Sequence, residues 1–151
     1  MLRDDINNAL KEAMKSREER RVSTLRMMNA AIKDRDIEAR GAGKGPLSDE
    51  DLLALFQKLI KQRQDSVEMY RKGGRADLVA QEEEEIAIIS SYLPKQMSED
   101  EMKAAIAEAI KQTGAASMKD MGKVIGALRG KYAGQMDFAK ASGLVKGMLA
   151  G

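Results

Sequence analysis

The fold is decided by residues 58–94, which read KLIKQRQDSVEMYRKGGRADLVAQEEEEIAIISSYLP. Two segments meet at Gly73-Gly74, and a proline ends the second. In each segment apolar residues recur every three or four positions, which places them on one side of a helix. Arg63 falls within the first apolar stripe and Glu82 within the second. Because a buried charge is costly unless it is paired, the sequence predicts an antiparallel helical hairpin whose register is held by ion pairs.

The acidic run from Glu82 to Glu85 is interpreted as part of this structural pairing. Four consecutive residues on a helix point in four directions, so these carboxylates cannot converge on one metal ion. We therefore expect no metal site and no cofactor. Arginine suits the pairing role because its planar guanidinium binds a carboxylate through two hydrogen bonds. The candidate structural ion pairs involve Arg21, Arg26, Arg63, Glu82 and Glu85.

The composition favours an all-α protein. Of 151 residues, 33% are charged and 3% are aromatic, and there are only two prolines. No run of alternating β-branched residues is found. We predict about four helices in an N-terminal domain, residues 1–93, which includes the long hairpin. A capping box that begins at Ser98 then starts a C-terminal three-helix bundle, residues 94–151.

Several classes of function are disfavoured by what the sequence lacks. Without cysteine or histidine there are no disulfides, thiolate nucleophiles or imidazole bases, and most zinc sites are excluded. No apolar run approaches the length of a membrane span, and the first residues do not resemble a secretory signal. We expect a cytoplasmic protein with no catalytic residues.

The C-terminal segment is basic. From residue 109 onward there are seven cations and only two acids, Asp120 and Asp137. Such a balance is typical of a segment that binds a polyanion. Glycines in the same segment allow a close approach, either of a packed helix or of a phosphate chain. The alternative is an ordinary solvated surface. The candidate RNA-binding residues are Lys111, Lys119, Lys123, Arg129, Lys131, Lys140 and Lys146.

A second basic segment, residues 21–26 (RVSTLR), has two interpretations. Its hydroxyl groups and arginines are suited to phosphate binding. Alternatively, Arg26 ties helices together. The sequence leaves both open.

Seven short motifs along the chain resemble the GatB/YqeY family. They are 21–26 (RVSTLR), 60–63 (IKQR), 65–70 (DSVEMY), 74–78 (GRADL), 92–94 (YLP), 119–124 (KDMGKV) and 144–146 (LVK). The resemblance covers essentially the whole chain. It implies a free-standing YqeY-like protein with a helical N-terminal domain and a three-helix C-terminal domain. It also implies kinship with the tail of the GatB subunit of tRNA-dependent amidotransferase, a tail that engages tRNA.

The expected function is that of a non-catalytic helper that binds tRNA or another structured RNA through its C-terminal domain. An aminoacyl-tRNA synthetase or an amidotransferase is a possible protein partner, and neither membrane binding nor DNA specificity is expected. One alternative is a protein-interaction module that docks on an enzyme of tRNA aminoacylation or amidation. A second is a component of a glutamine-dependent carbon–nitrogen ligase, whose activity would be inherited from the family's complex.

Overall fold

The computed structural model describes residues 1–150, and all its regular secondary structure is helical, which confirms the all-α prediction. Within this range there are seven α-helices, one short 3-10 helix and no strand. The elements are α1 (Leu2–Lys15), α2 (Glu19–Gly41), α3 (Asp49–Lys72), α4 (Ala76–Ser90), α5 (Glu99–Thr113), the 3-10 helix Met118–Asp120, α6 (Met121–Tyr132) and α7 (Phe138–Ala150).

The chain divides into two compact units, residues 1–93 and the part from Pro94 onward. We call them the N-terminal and C-terminal units. Each has its own apolar core.

The core of the N-terminal unit is aliphatic with one aromatic ring. Phe56 of α3 is fully buried, together with Ile6 of α1, Leu25 of α2 and Ile89 of α4. Each helix contributes a single stripe, because apolar residues at helical spacing share one face. The four helices α1–α4 therefore bury one another's apolar faces.

Helices α3 and α4 pack against each other and join through a tight turn. Ser48 caps α3 by accepting a hydrogen bond from the Asp51 N–H, and Asp51 accepts one from the Ser48 N–H. The turn after α3 needs Gly74, whose φ of +71° lies in the left-handed region that favours glycine. Local chemistry thus fixes where the pair of helices begins and where it reverses.

The connection between α2 and α3 is fastened at its end, although its glycines and proline suggest a mobile loop. Arg3 of α1 donates two hydrogen bonds to Asp36 of α2, at 2.6 and 2.7 Å, and a third to the Leu47 carbonyl at 2.9 Å. Asp36 also accepts the Leu47 N–H at 3.0 Å. The Arg3 guanidinium and, next, this N–H lower the pKa of Asp36 to about 2.

The C-terminal unit packs α5, α6 and α7 around a small core. Ile106, Leu128 and Val145 are buried there, one from each helix. The capping box at Ser98 and Glu101 starts α5. The 3-10 helix precedes α6 and runs directly into it.

Candidate nucleic-acid interface

The outer side of α6 carries a line of uncovered glycines. Gly122, Gly126 and Gly130 are exposed and four residues apart, so they lie on one face of the helix. A Cβ atom added to any of them would meet no atom within 4 Å. The buried side chains Val124 and Leu128 point from the other face into the core. These glycines therefore do not serve helix packing within the C-terminal unit, and they leave the α6 backbone open.

Three of the predicted cations flank this line. Lys123 is 71% exposed and its Nζ lies 3.9 Å from the Asp120 carboxylate. Lys119 lies in the 3-10 helix, one turn earlier, and makes no ion pair with any residue from 1 to 150. The Arg129 guanidinium lies 5.1 Å from the centre of the Phe138 ring, a cation–π contact that holds it at the start of α7. We call Lys119, Lys123, Arg129 and the glycine line the α6 face.

The other predicted cations do not join the α6 face. Lys140 of α7 is paired with Glu99 of α5 at 3.3 Å, so much of its charge is neutralised locally. Lys131 lies over the Tyr132 ring at 5.5 Å. Lys111 is exposed near the end of α5, and Lys146 is exposed on α7. The structure thus distributes the seven predicted cations over three helices and the 3-10 helix.

The acidic residues of the C-terminal unit lie at the starts of helices, except for Glu108 within α5. The Glu101 carboxylate accepts the Ser98 N–H, and the Asp137 carboxylate accepts backbone N–H groups at the start of α7. Asp120 accepts the N–H groups of Ala116 and Ser117, and these bonds lower its pKa. Carboxylates stabilise the positive ends of helices in this way. The lysines along α6 consequently have few acidic neighbours.

The predicted ion pairs of the N-terminal unit are centred on Glu85. Arg63 donates to Glu85 at 3.0 Å, and the two side chains are only 16% and 15% exposed. Glu82 is half-buried and makes no ion pair with the described residues. Burial and, next, the nearby Glu85 charge raise the pKa of Glu82. Of the two predicted acids, Glu85 and not Glu82 is the carboxylate that pairs with Arg63.

The pairing role expected of Arg26 belongs to Arg20. The Arg20 guanidinium lies 3.1 Å from the Glu84 carboxylate and 4.0 Å from the Glu85 carboxylate, and so links α2 to α4. Arg21 donates a long hydrogen bond, 3.4 Å, to the Tyr92 hydroxyl. Arg26 is exposed and unpaired within residues 1–150, so its expected structural role is wrong. The rotation of α2 about its axis, which the sequence does not specify, decides which arginine faces α4.

The hydroxyl groups of residues 21–26 do not support the phosphate-binding interpretation of this segment, because both donate to the backbone. Both Ser23 and Thr24 donate to the Arg20 carbonyl, at 3.2 and 2.8 Å, and Thr24 is buried. Among the residues that the structure describes, no group of three metal-ligating side chains comes together. No helix in that part of the chain has the length and apolar character needed to cross a membrane.

Comparison with known proteins identifies the family. A family model described as Yqey-like protein matches residues 3–149. The chain belongs to this YqeY-like family. Three similar curated proteins are each named "Altered inheritance of mitochondria protein 41, mitochondrial". The one from Lachancea thermotolerans is 40% identical over 89 residues, that from Vanderwaltozyma polyspora is 34% identical over 88, and that from Saccharomyces cerevisiae strain YJM789 is 38% identical over 89.

These matches cover part of each protein. They take in 58–59% of this YqeY-like chain and 46% of each of the three relatives. The chain thus spans about half the length of the curated relatives it matches. Their names also correct one expectation: the cytoplasmic localisation predicted from the sequence is wrong, because the similar proteins are named as mitochondrial.

Proposed function

We propose that this YqeY-like protein is a non-catalytic helper that binds tRNA or another structured RNA through the α6 face. The observation that carries the proposal is the open glycine line with Lys119, Lys123 and Arg129 beside it. Binding to an RNA backbone needs clustered cations and a surface that phosphates can approach closely. The α6 face supplies both without requiring any catalytic group.

The mode of binding follows from the scarcity of aromatic side chains. The chain has two phenylalanines, three tyrosines and no tryptophan. In the C-terminal unit Tyr132 and Phe138 are half-buried and lie beside Lys131 and Arg129. Stacking of unpaired bases on aromatic rings therefore has little surface to use. Recognition of the shape and the sugar–phosphate backbone of a folded RNA is favoured instead.

Family kinship supports RNA over other polyanions. The resemblance to the GatB tail links the C-terminal unit to a module that engages tRNA, and an aminoacyl-tRNA synthetase or amidotransferase would be the corresponding protein partner. The carbon–nitrogen ligase alternative rests on the same resemblance alone.

The test is a titration of labelled bulk tRNA with the full chain over a series of salt concentrations. The triple variant Lys119→Gln/Lys123→Gln/Arg129→Gln should bind more weakly. The slope of log affinity against log salt should become less steep by about 1 for each phosphate contact removed. Lys103→Gln removes one cation from α5 of the same unit and is the control for each of the three single substitutions as well as for the triple variant.

Gly126→Leu separates close approach from charge. Nothing lies within 4 Å of the added Cβ, so the variant should fold, and replacing a helical glycine adds up to about 1 kcal/mol of stability. Its bulk should nevertheless weaken RNA binding at unchanged net charge. If the triple variant and Lys103→Gln bind tRNA equally well, or if the wild type fails to bind at low salt, the proposal is refuted.

A further inference from the structure

Two sets of cations in the N-terminal unit differ in their surroundings. The first set lies between helices and is paired with acids: Arg3 with Asp36, Arg20 with Glu84, and Arg63 with Glu85. The second set lies on the outer side of α2, is exposed, and makes no ion pair with any residue that the structure describes. It consists of Arg26, Lys33 and Arg40.

The second set is arranged in a line with two apolar residues. Arg26, Lys33 and Arg40 are seven residues apart, and Ala30 and Ile37 fall between them at alternating steps of four and three. Positions spaced in this way share one helical face, and the line is about 21 Å long at about 1.5 Å per residue. We call these five residues the α2 seam. The core-facing side of α2 carries Thr24, Leu25, Met28 and Ile32.

Ile37 is what makes the α2 seam unlike an ordinary charged surface. It is 60% exposed, between two exposed cations, on a helix whose other large apolar residues are half-buried or buried. Steps of four and three are the pattern by which one helix packs along another. Long Lys and Arg side chains cover apolar surface with their stems while the charged ends stay in water. An RNA backbone would use the cations but would gain nothing from Ile37.

We propose that the α2 seam docks an acidic amphipathic helix of a protein partner. Such a helix would place small or apolar side chains against Ala30 and Ile37, and carboxylates at seven-residue intervals against the cations. This inference does not rest on the RNA-binding function, because it concerns the other unit. The protein would then join a protein partner through one unit to an RNA bound by the other.

The neighbours of the seam give the interaction a preferred orientation. Asp34 and Glu38 are exposed and lie on the same flank of the line. Like charges placed opposite each other across an interface disfavour binding, so the partner helix must turn its acids away from this flank. Basic residues on that side of the partner would add to the selectivity.

The probe is a synthetic helical peptide of three heptads, with Glu and Leu alternating at the positions that face the seam. The peptide carries a fluorescent label, and its anisotropy is measured as the full chain is titrated in. The matched probe carries Lys in place of each Glu. The wild type should bind the Glu peptide in preference to the Lys peptide. Reversing the seam with Arg26→Glu/Lys33→Glu/Arg40→Glu should weaken Glu-peptide binding by about tenfold or more and create binding to the Lys peptide.

Two further variants separate the seam from general charge effects. Ile37→Ser should weaken Glu-peptide binding at unchanged charge, including at high salt. The triple Lys58→Glu/Lys61→Glu/Lys72→Glu makes the same charge change at exposed positions of α3 and should leave most of the binding intact. Far-UV circular dichroism confirms that each variant is folded.

Three results would overturn the inference. The first is that the wild type binds the two peptides equally or not at all. The second is that the α3 triple reduces Glu-peptide binding as much as the α2 triple. The third is that the α2 triple weakens tRNA binding and leaves the Glu peptide bound, which would make the seam an RNA surface. Failure of the α6-face variants to affect tRNA would refute only the proposed RNA-binding site.

Discussion

Removal of Arg63 tests the strongest energetic claim about the N-terminal unit. Its guanidinium lies 3.0 Å from Glu85 and also donates to the Leu59 carbonyl at 3.1 Å. Arg63→Ala leaves the Glu85 carboxylate mostly buried beside Glu82, with only Arg20, at 4.0 Å, to offset its charge. The folded state should therefore lose stability while the helices themselves remain intact.

The magnitude follows from burial. Breaking a fully buried ion pair from one side costs about 3–5 kcal/mol, whereas an exposed pair contributes about 0–1 kcal/mol. The Arg63 and Glu85 side chains are about one-sixth exposed and Arg20 remains nearby, so we expect a loss of about 2–3 kcal/mol. The double variant Arg63→Met/Glu85→Met should recover most of it, because no charge is then left buried.

The matched control on the same pair of helices is Arg71→Ala. Arg71 pairs with Glu68 and Glu83 at 3.1 and 3.2 Å but is 58% exposed, so the cost should stay below about 1 kcal/mol. Urea unfolding of the full chain is followed by far-UV circular dichroism, since there is no tryptophan. The transition is fitted with two phases because the chain has two units. The reasoning is refuted if Arg63→Ala destabilises the protein no more than Arg71→Ala.

Two further predictions concern pH. The pKa of Asp36 falls from 3.8 to about 2 on folding. Its stabilisation is therefore complete above about pH 4 and is lost as the pH falls toward 2. Asp36→Asn should lower the free energy of unfolding by about 1–2 kcal/mol at neutral pH. The urea midpoints of the wild type and the variant should converge as the pH falls toward 2. A difference between the two midpoints that stays constant with pH would contradict this account. The pKa of Glu82 is raised, so its ionised form destabilises the folded state. Glu82→Gln should raise the thermal midpoint of unfolding at pH 7. The variant should lose this advantage below the ordinary carboxyl pKa, because Glu82 is then protonated in both the folded and the unfolded protein. An unchanged midpoint at pH 7 would count against this prediction.

Helix positions could be predicted from the sequence because their causes are local. The capping residues Ser48 and Ser98 precede α3 and α5, and Gly74 lies at the turn between α3 and α4. Each effect acts within a few residues along the chain. The ordered end of the α2–α3 connection could not be predicted from local sequence, because Arg3 and Asp36 hold it from distant points in the chain.

The candidate site could be predicted only in part. Clustering of cations near the end of the chain is visible in the sequence, but the pairing of Lys140 with Glu99 is not. The open side of the α6 glycines also depends on which face of the helix the core occupies. The α2 seam was missed although its seven-residue spacing is present in the sequence, because the exposure of Ile37 emerges only from packing.

The sequence by itself determined that residues 58–94 form two helices with charges set into their apolar stripes, since helical period and turn chemistry are properties of neighbouring residues. Only the tertiary structure decided that Arg63 meets Glu85 rather than Glu82, and that Arg20 rather than Arg26 faces α4. An ion pair forms where two charged groups come within about 4 Å. The rotation and offset of packed helices set that distance, and both depend on the whole core.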